Sequence, residues 1–419
     1  MRVDKDDVYA RMVKGVEREA HKIYRKLVST LYTAPIHIES LVMEWKRNQA
    51  QLLEEAPLFI YIACIEQVFS FATAEELVRY ERRFTDFVRG IIANVKQLIG
   101  EQGSFESSEQ FMTQMIVRKY SRHAREELSP WTMLFYMWQE IAPEEELQKI
   151  KLQLEELYPF TEAAKSAQLV CAYFFVRLQE EERALSSLQI RPYDIETQDV
   201  AIHIEQLSKR AQYIAVKRWL QALFPGQSIH FGALQVYADQ AEVALALHPE
   251  ETCVQVWNRF VQNPSERTFM MLVAPLNETQ TEIILQDVLP RLRARLFSDG
   301  VRLSYVQLLY RYRRYEEAMT YFLVDEDQPF MLSSVKRALL QAAAEIYPEQ
   351  AKPIYHQFIV RFVEKRSRKH YIEAVNYTVQ LRKLYEATSD MERYEHFLEK
   401  LKVMYRTSRV FIEELKRRA

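Results

Sequence analysis

Apolar residues recur along this chain at spacings of three and four. Val8, Met12, Val16, Ala20, Ile23, Leu27 and Leu31 form one such stripe. On a 3.6-residue period it lies on a single helix face and predicts a helix of about six turns. Further stripes predict helices over 35–53, 57–71, 74–99, 108–128, 130–141, 143–158 and 161–178. Proline stands at or near the start of several of them, where its fixed φ suits the first helical turn and its missing N–H is no loss. No stretch alternates apolar and polar residues between turn signals, so no strands are expected and the fold class is all-α. Glycine or proline joins small polar residues at 100–108, 190–199, 224–232 and 298–300, which predicts loops. The second and fourth of these divide the chain into an expected N-terminal helical subdomain (1–190), a middle one (191–300) and a C-terminal region (301–419). Helices alternating with short turns over this length predict an elongated array of antiparallel helical hairpins, each burying its face against the next.

The clearest internal similarity lies in the C-terminal region. Residues 315–321 and 371–377 share the pattern Tyr-x-Glu-Ala-x-x-Tyr, 56 residues apart. Each copy follows a basic cluster: Arg311, Arg313 and Arg314 in one, Lys365, Arg366, Arg368 and Lys369 in the other. The reading is that the two copies occupy equivalent places in neighbouring hairpins, with Ala318 and Ala374 admitting a close helix contact. Ala318 stands four residues before Phe322, the small-then-large spacing of a tetratricopeptide second helix. The usual first-helix positions are not matched and no 34-residue period is visible in the sequence, so the region is expected to be tetratricopeptide-like.

Composition narrows the chemistry. Seven glycines in 419 residues leave little material for phosphate-cradling loops or tight hairpins, and turns are expected from proline, serine, asparagine and aspartate. The chain is hydrophobic at 48% and charged at 27%, with a net charge of -2, which places it among folded globular proteins. The charge is uneven: residues 1–300 carry 34 basic and 42 acidic groups, and residues 301–419 carry 22 and 16. The C-terminal region therefore offers a positive face to an anionic partner. Cys64, Cys171 and Cys253 are dispersed among apolar neighbours and read as buried thiols. Met1 to Asp7 contain no apolar signal core, and the longest apolar run, 56–65, is far short of the ~20 residues of a spanning helix. A cytoplasmic location without membrane association is expected.

A carboxylate-bridged di-iron bundle needs Glu three residues before His, but the residues three before the nine histidines are Arg18, Ala34, Tyr120, Val200, Gln227, Leu245, Pro353, Ser367 and Arg393. His-Glu-x-x-His, Gly-x-Ser-x-Gly and Gly-x-x-x-x-Gly-Lys are all missing from the sequence. No metal, cofactor or catalytic residue is assigned, and the chain is expected not to be an enzyme. His123 near Glu126 and His396 beside Glu395 read as surface histidines, and the aromatic run Met133, Phe135, Tyr136, Met137 and Trp138 as core. Arg311, Arg313, Arg314, Arg366, Arg368 and Lys369 are the candidate contacts to nucleic acid or to a protein partner.

The last fifty residues add a family resemblance. Tyr371-x-x-Ala374, Leu381-Arg382-x-Leu384-Tyr385, the polar turn Thr388-Ser389-Asp390, Tyr394-x-x-Phe397, Leu401 and the closing Arg406-x-x-Arg409 to Leu415 resemble the tail of bacterial SWIM zinc-finger proteins. In that family a Cys-x-Cys and Cys-x-His zinc module accompanies several hundred helical residues. Neither motif occurs here, so the zinc module is not carried over and the chain corresponds to the helical remainder. The resemblance implies a setting with Swi/Snf-type helicases. The functional expectation is a non-enzymatic helical-repeat scaffold for protein–protein interaction. The alternatives are a direct nucleic-acid-binding module using the basic C-terminal region and a peptide-sensing helical-repeat regulator.

Overall fold

A computed structural model describes residues 5–29, 34–102, 107–157, 162–189, 194–226 and 231–418. Among these residues there are α-helices and short 3-10 and π turns but no strand, so the all-α reading holds. The helices are numbered α1 to α25 in chain order. Where proline or a small polar cap marks the start, expected and observed boundaries agree closely. The stretch expected at 130–141 is α8 (Pro130–Ile141), with Pro130 in the first turn and the Ser129 hydroxyl accepting from the Trp131 N–H. The first stripe is α1 (Lys5–Leu27), with Met12, Val16, Ala20, Ile23 and Leu27 buried; Leu31 lies outside the described residues.

Three expectations change. The helix expected at 35–53 is broken at Gln49 into α2 (Pro35–Asn48) and α3 (Ala50–Glu55). The one expected at 74–99 is broken at Tyr80 into α5 (Ala74–Arg79) and α6 (Glu81–Gln102). Neither break carries glycine or proline, so no local signal announced it. The loop expected at 298–300 contracts to a helix start, with Ser298 preceding α19 (Asp299–Arg311) and Gly300 inside the helix. Of the other expected loops, residues 103–106, 190–193 and 227–230 lie outside the described residues.

The chain divides into two compact units, 1–241 and 242–419, a division that falls inside the stretch expected at 191–300. The first unit is organised by α4 (Pro57–Ser70) and α10 (Lys165–Arg177), which are apolar almost all round and accordingly buried. Trp45, Trp138 and Trp219 fill the space beside its helices. Cys64 and Cys171 are free and buried here, and Cys253 is so in the second unit; burial pushes the Cys64 thiol well above its usual range.

A repeat runs along the chain that the sequence concealed. Helices beginning at residues 165, 201, 235, 266, 299, 334 and 368 have successive starts 31 to 36 residues apart, with one further α-helix in each interval except 235–266, which holds two. This is close to the tetratricopeptide period of ~34, although no such period is visible in the residue pattern. Hydrogen bonds follow the same spacing. Arg210 donates to the Val176 and Arg177 carbonyls at 2.7 and 3.0 Å, Arg177 to the Gln139 carbonyl, Arg295 to the Val261 carbonyl and Arg361 to the Glu326 carbonyl at 2.7 Å. In each case an arginine roughly one repeat later satisfies a carbonyl at or just past the end of an earlier helix, where partial negative charge accumulates.

The tightest turns share one backbone device. Gln179, Ala211, Arg313, Arg366 and Ser389 all sit at φ between 51° and 62°, the left-handed region usually left to glycine. Around Gln179, Ala211, Arg313 and Ser389 the next N–H closes onto the carbonyl five residues back, as in Arg314 to Leu309 at 2.8 Å and Asp390 to Tyr385 at 3.0 Å. The glycine-poor sequence thus makes these turns with glutamine, alanine, arginine and serine, not with the proline, asparagine and aspartate expected.

The same turns correct the internal similarity. Ala318 lies five residues after the left-handed Arg313, on α20 (Tyr315–Thr320); the residues five after the other turns are Ala184, Val216, Tyr371 and Tyr394, all buried. Ala374, on α23 (Arg368–Ala387), lies eight after Arg366, about one helical turn too far. Moreover α20 is the second helix of its pair whereas α23 is a first helix. The two motifs share a preceding turn and a buried alanine, but they are not equivalent places in the repeat. Beyond α20 the chain forms a π turn at Tyr321–Asp325. The buried Glu326 carboxylate clamps that end, accepting from the Tyr321 hydroxyl at 2.8 Å, from Lys336 Nζ and from the Gln328 N–H at 3.1 Å.

Candidate functional site

The first basic cluster follows the end of α19. Arg311 and Arg313 are exposed. Arg314 is not free: its guanidinium pairs with Glu282, on α18 (Glu278–Arg293), and lies 3.8 Å from Glu317. Hydrogen bonds from Gln286 and then from Arg314 hold the Glu282 carboxyl below its usual pKa.

The second cluster spans the turn between α22 (Pro348–Glu364) and α23. Lys365 lies 4.2 Å from the Phe330 ring centre, a cation–π contact. Arg366 and Arg368 are exposed. Ser367 caps α23, its hydroxyl 3.5 Å from the His370 N–H. Lys365 also lines a cavity of about 560 Å³ with Arg361 and Glu364, and Lys369 lines a groove of about 610 Å³ in the second unit.

That groove is walled by α21 (Ser334–Ile346) and α23 with α22 beneath. Besides Lys369 its cations are Arg337 and Lys383, its carboxylate is Glu373, and its side-chain amides are Gln341, Asn376 and Gln380. Among the described residues no carboxylate lies within ion-pair distance of Lys369 or Lys383. Arg337 is oriented by a 3.1 Å bond from Nε to the Leu332 carbonyl, which leaves the outer guanidinium N–H groups for other acceptors. Phe330, Tyr355, Phe362 and Tyr377 form the apolar part. Their rings are spent on one another: Phe362 and Tyr377 stack at 5.4 Å, and Tyr355 meets Tyr377 edge-on at 5.6 Å. Burial pushes the Tyr377 hydroxyl up to about 12, with Arg337 acting against the shift and Glu373 with it. Both charged groups line the groove.

Of the six candidate contacts, then, Lys369 reaches the groove; Arg311, Arg313, Arg366 and Arg368 remain on the surface and Arg314 is committed to an ion pair. Arg337, Lys383, Gln341, Asn376 and Gln380 were missed. Part of the signal was legible, since residues 369, 373, 376, 380 and 383 are spaced four, three, four and three and share one face of α23. Arg337 and Gln341 come from α21, and nothing local links them to α23.

A further cavity, of about 530 Å³, lies in the first unit between Phe69, Leu77, Leu128 and Trp131. Its rim carboxylates are already engaged: Glu66 with Lys119 at 2.6 Å, and Glu126 with His123 at 2.8 Å. Of the aromatic run read as core, Phe135 and Trp138 are fully buried, while Met133, Tyr136 and Met137 are partly buried and pack against the core. Among the described residues no group of three or more His, Cys, Asp or Glu is arranged to hold a metal ion, and no helix is long and apolar enough to cross a membrane.

No protein-family model matches the chain, and no solved structure matches it. Over 149 residues it is 24% identical to the Uncharacterized protein YwqB of Bacillus subtilis (strain 168), a stretch covering 36% of this chain. The chain thus matches only 26% of that relative's length.

Proposed function

We propose that this protein is a non-enzymatic helical-repeat scaffold that holds a protein partner in the groove between α21 and α23. One observation carries the reading: Lys369 and Lys383 stand unpaired at a cavity of about 610 Å³, while Arg314, Arg361 and Arg382 are committed to carbonyls or carboxylates. Unpaired cations beside a concave, partly apolar surface favour an external anionic partner over an internal role. The SWIM resemblance names a Swi/Snf-type helicase as one partner class. Direct nucleic-acid binding is the second reading, favoured by the exposed Arg311, Arg313, Arg366 and Arg368.

Affinity capture from the source cells, followed by mass spectrometry, tests the proposal. Wild type is expected to retain a defined protein near equimolar ratio, and Lys369→Glu/Lys383→Glu to lose it while folding normally. Retention of nucleic acid alone, sensitive to the exposed arginines, would replace this reading with the second.

A further inference from the structure

We infer that the groove takes an extended, acidic segment of the partner, about six residues long and carrying an apolar or aromatic side chain. This rests on the scaffold reading above and names the chemistry of its occupant. The polar stripe on α23 runs from Lys369 to Lys383, which at ~1.5 Å per residue is about 20 Å of helix. An extended chain covers that distance in about six residues at ~3.3 Å each.

Extension, not helicity, follows from the amides. A helix has already paired its own backbone, whereas an extended strand arrives with free N–H and C=O groups. Gln341 and Gln380 each offer both a donor and an acceptor to such a backbone, and Asn376 offers its N–H groups, its carbonyl already accepting from Arg418 at 3.3 Å. Acidity follows from the three cations. Lys369 lies in the first turn of α23, where the helix dipole adds to its positive charge; Lys383 stands near the other end and Arg337 on the opposite wall. Carboxylates spaced along the segment would meet all three.

The same features disfavour a nucleic-acid strand. Base stacking needs an open ring face, but the Phe362 and Tyr377 faces are turned to each other and Lys365 lies over Phe330. Glu373 sits within the stripe, between Lys369 and Asn376, where it repels a continuous run of phosphates. Against a peptide it has a use, since a carboxylate accepts backbone N–H groups.

Fluorescence anisotropy with the full chain tests the inference. The probe is fluorescein-labelled Glu-Asp-Phe-Glu-Asp-Leu, compared with Gln-Asn-Phe-Gln-Asn-Leu and with a twenty-nucleotide oligouridine. The acidic probe is expected to bind saturably, at least tenfold more tightly than the amide version, and to weaken as salt rises. Lys369→Gln/Lys383→Gln should cut its affinity at least tenfold with the thermal melt unchanged. Arg311→Gln/Arg313→Gln should leave it within twofold, and Glu373→Gln should strengthen it. Equal binding of the two peptides, no saturable binding, or indifference to the lysine pair would overturn the inference. So would oligouridine binding that depends on those lysines. A failed peptide titration beside partner capture that still needs Lys369 and Lys383 would sink the acidic segment alone, whereas failure of both would sink the scaffold reading too.

Discussion

The turns at Arg313 and Arg366 share a left-handed arginine, and the basic clusters around them differ in almost everything else. Each turn has an arginine at φ near 50° and leads into a helix with a fully buried alanine. Around Arg313 the neighbouring Arg314 is absorbed by Glu282, which stands on α18, and the helix that follows ends after six residues in a π turn. Around Arg366 the following helix runs for twenty residues and carries Lys369 and Lys383 into an open groove. Similar sequence therefore produced a similar turn, while the element packed alongside decided whether a cation became part of the fold or stayed available to a partner.

The largest effect is expected where the two regions differ most. The Glu326 carboxylate is 2% exposed and pairs with Lys336 at the end of the π turn, and α23 has no such clamp. Glu326→Ala leaves the partly buried Lys336 uncompensated and should cost ~3–5 kcal/mol in a denaturant titration of the intact protein. A loss below ~1 kcal/mol would show that the π turn does not depend on its clamp.

Next come the two alanines, neither of which has accessible surface. Ala318→Leu and Ala374→Leu should each overpack their contact and cost ~1–3 kcal/mol. An unchanged melting curve for either one would break the claim that both turns deliver a close helix contact. The turns themselves should respond alike. Arg313→Gly and Arg366→Gly relieve a left-handed conformation that costs an ordinary residue ~1–2 kcal/mol, less the entropy glycine adds to the unfolded chain. Each should raise the melting temperature slightly, and Arg→Ala at the same places should not. A gain at one position alone would mean that the backbone likeness is superficial.

The smallest effect near neutral pH belongs to two histidines, the buried His203 in the first unit and the half-buried His356 in the second. His203 and His356 are both lowered from the usual 6.5 to about 4, mainly by burial, with Lys352 adding to the shift at His356. Because the unfolded chain takes up the protons first, the stability each neutral imidazole preserves is intact above pH 6.5. It is lost progressively as pH falls through about 4. His356→Gln should keep a polar group near the Tyr385 hydroxyl, which His356 meets at 3.0 Å, and flatten its share of the acid limb. A limb of unchanged steepness in that variant would contradict the assignment.

The fold was legible where one segment determines its own state. Pro57 and Pro130 open helices whose apolar runs leave no alternative, and α4 and α8 appear where expected. The breaks at Gln49 and Tyr80 were not legible, because those residues are ordinary in a helix and only packing distinguishes them. The repeat was hidden for a related reason. The buried position five residues after the turns is filled by Ala, Val, Ala, Tyr and Tyr, so the left-handed turn and its buried follower recur without a shared residue pattern. Of the candidate site, the stripe on α23 was readable in outline from its four-and-three spacing. Its completion by Arg337 and Gln341, and the loss of Arg314 to Glu282, depend on contacts 32 or more residues away.

Site-directed photo-crosslinking in the source cells tests most directly the claim that the groove, and not the surface arginines, meets the partner. A benzoylphenylalanine would be placed at Asn376 in one strain and at Arg311 in another. The account predicts one discrete protein adduct from position 376, lost when Lys369 and Lys383 are changed to glutamine, and none from position 311. An adduct from 311 with none from 376, or nucleic acid as the species captured at 376, would contradict it.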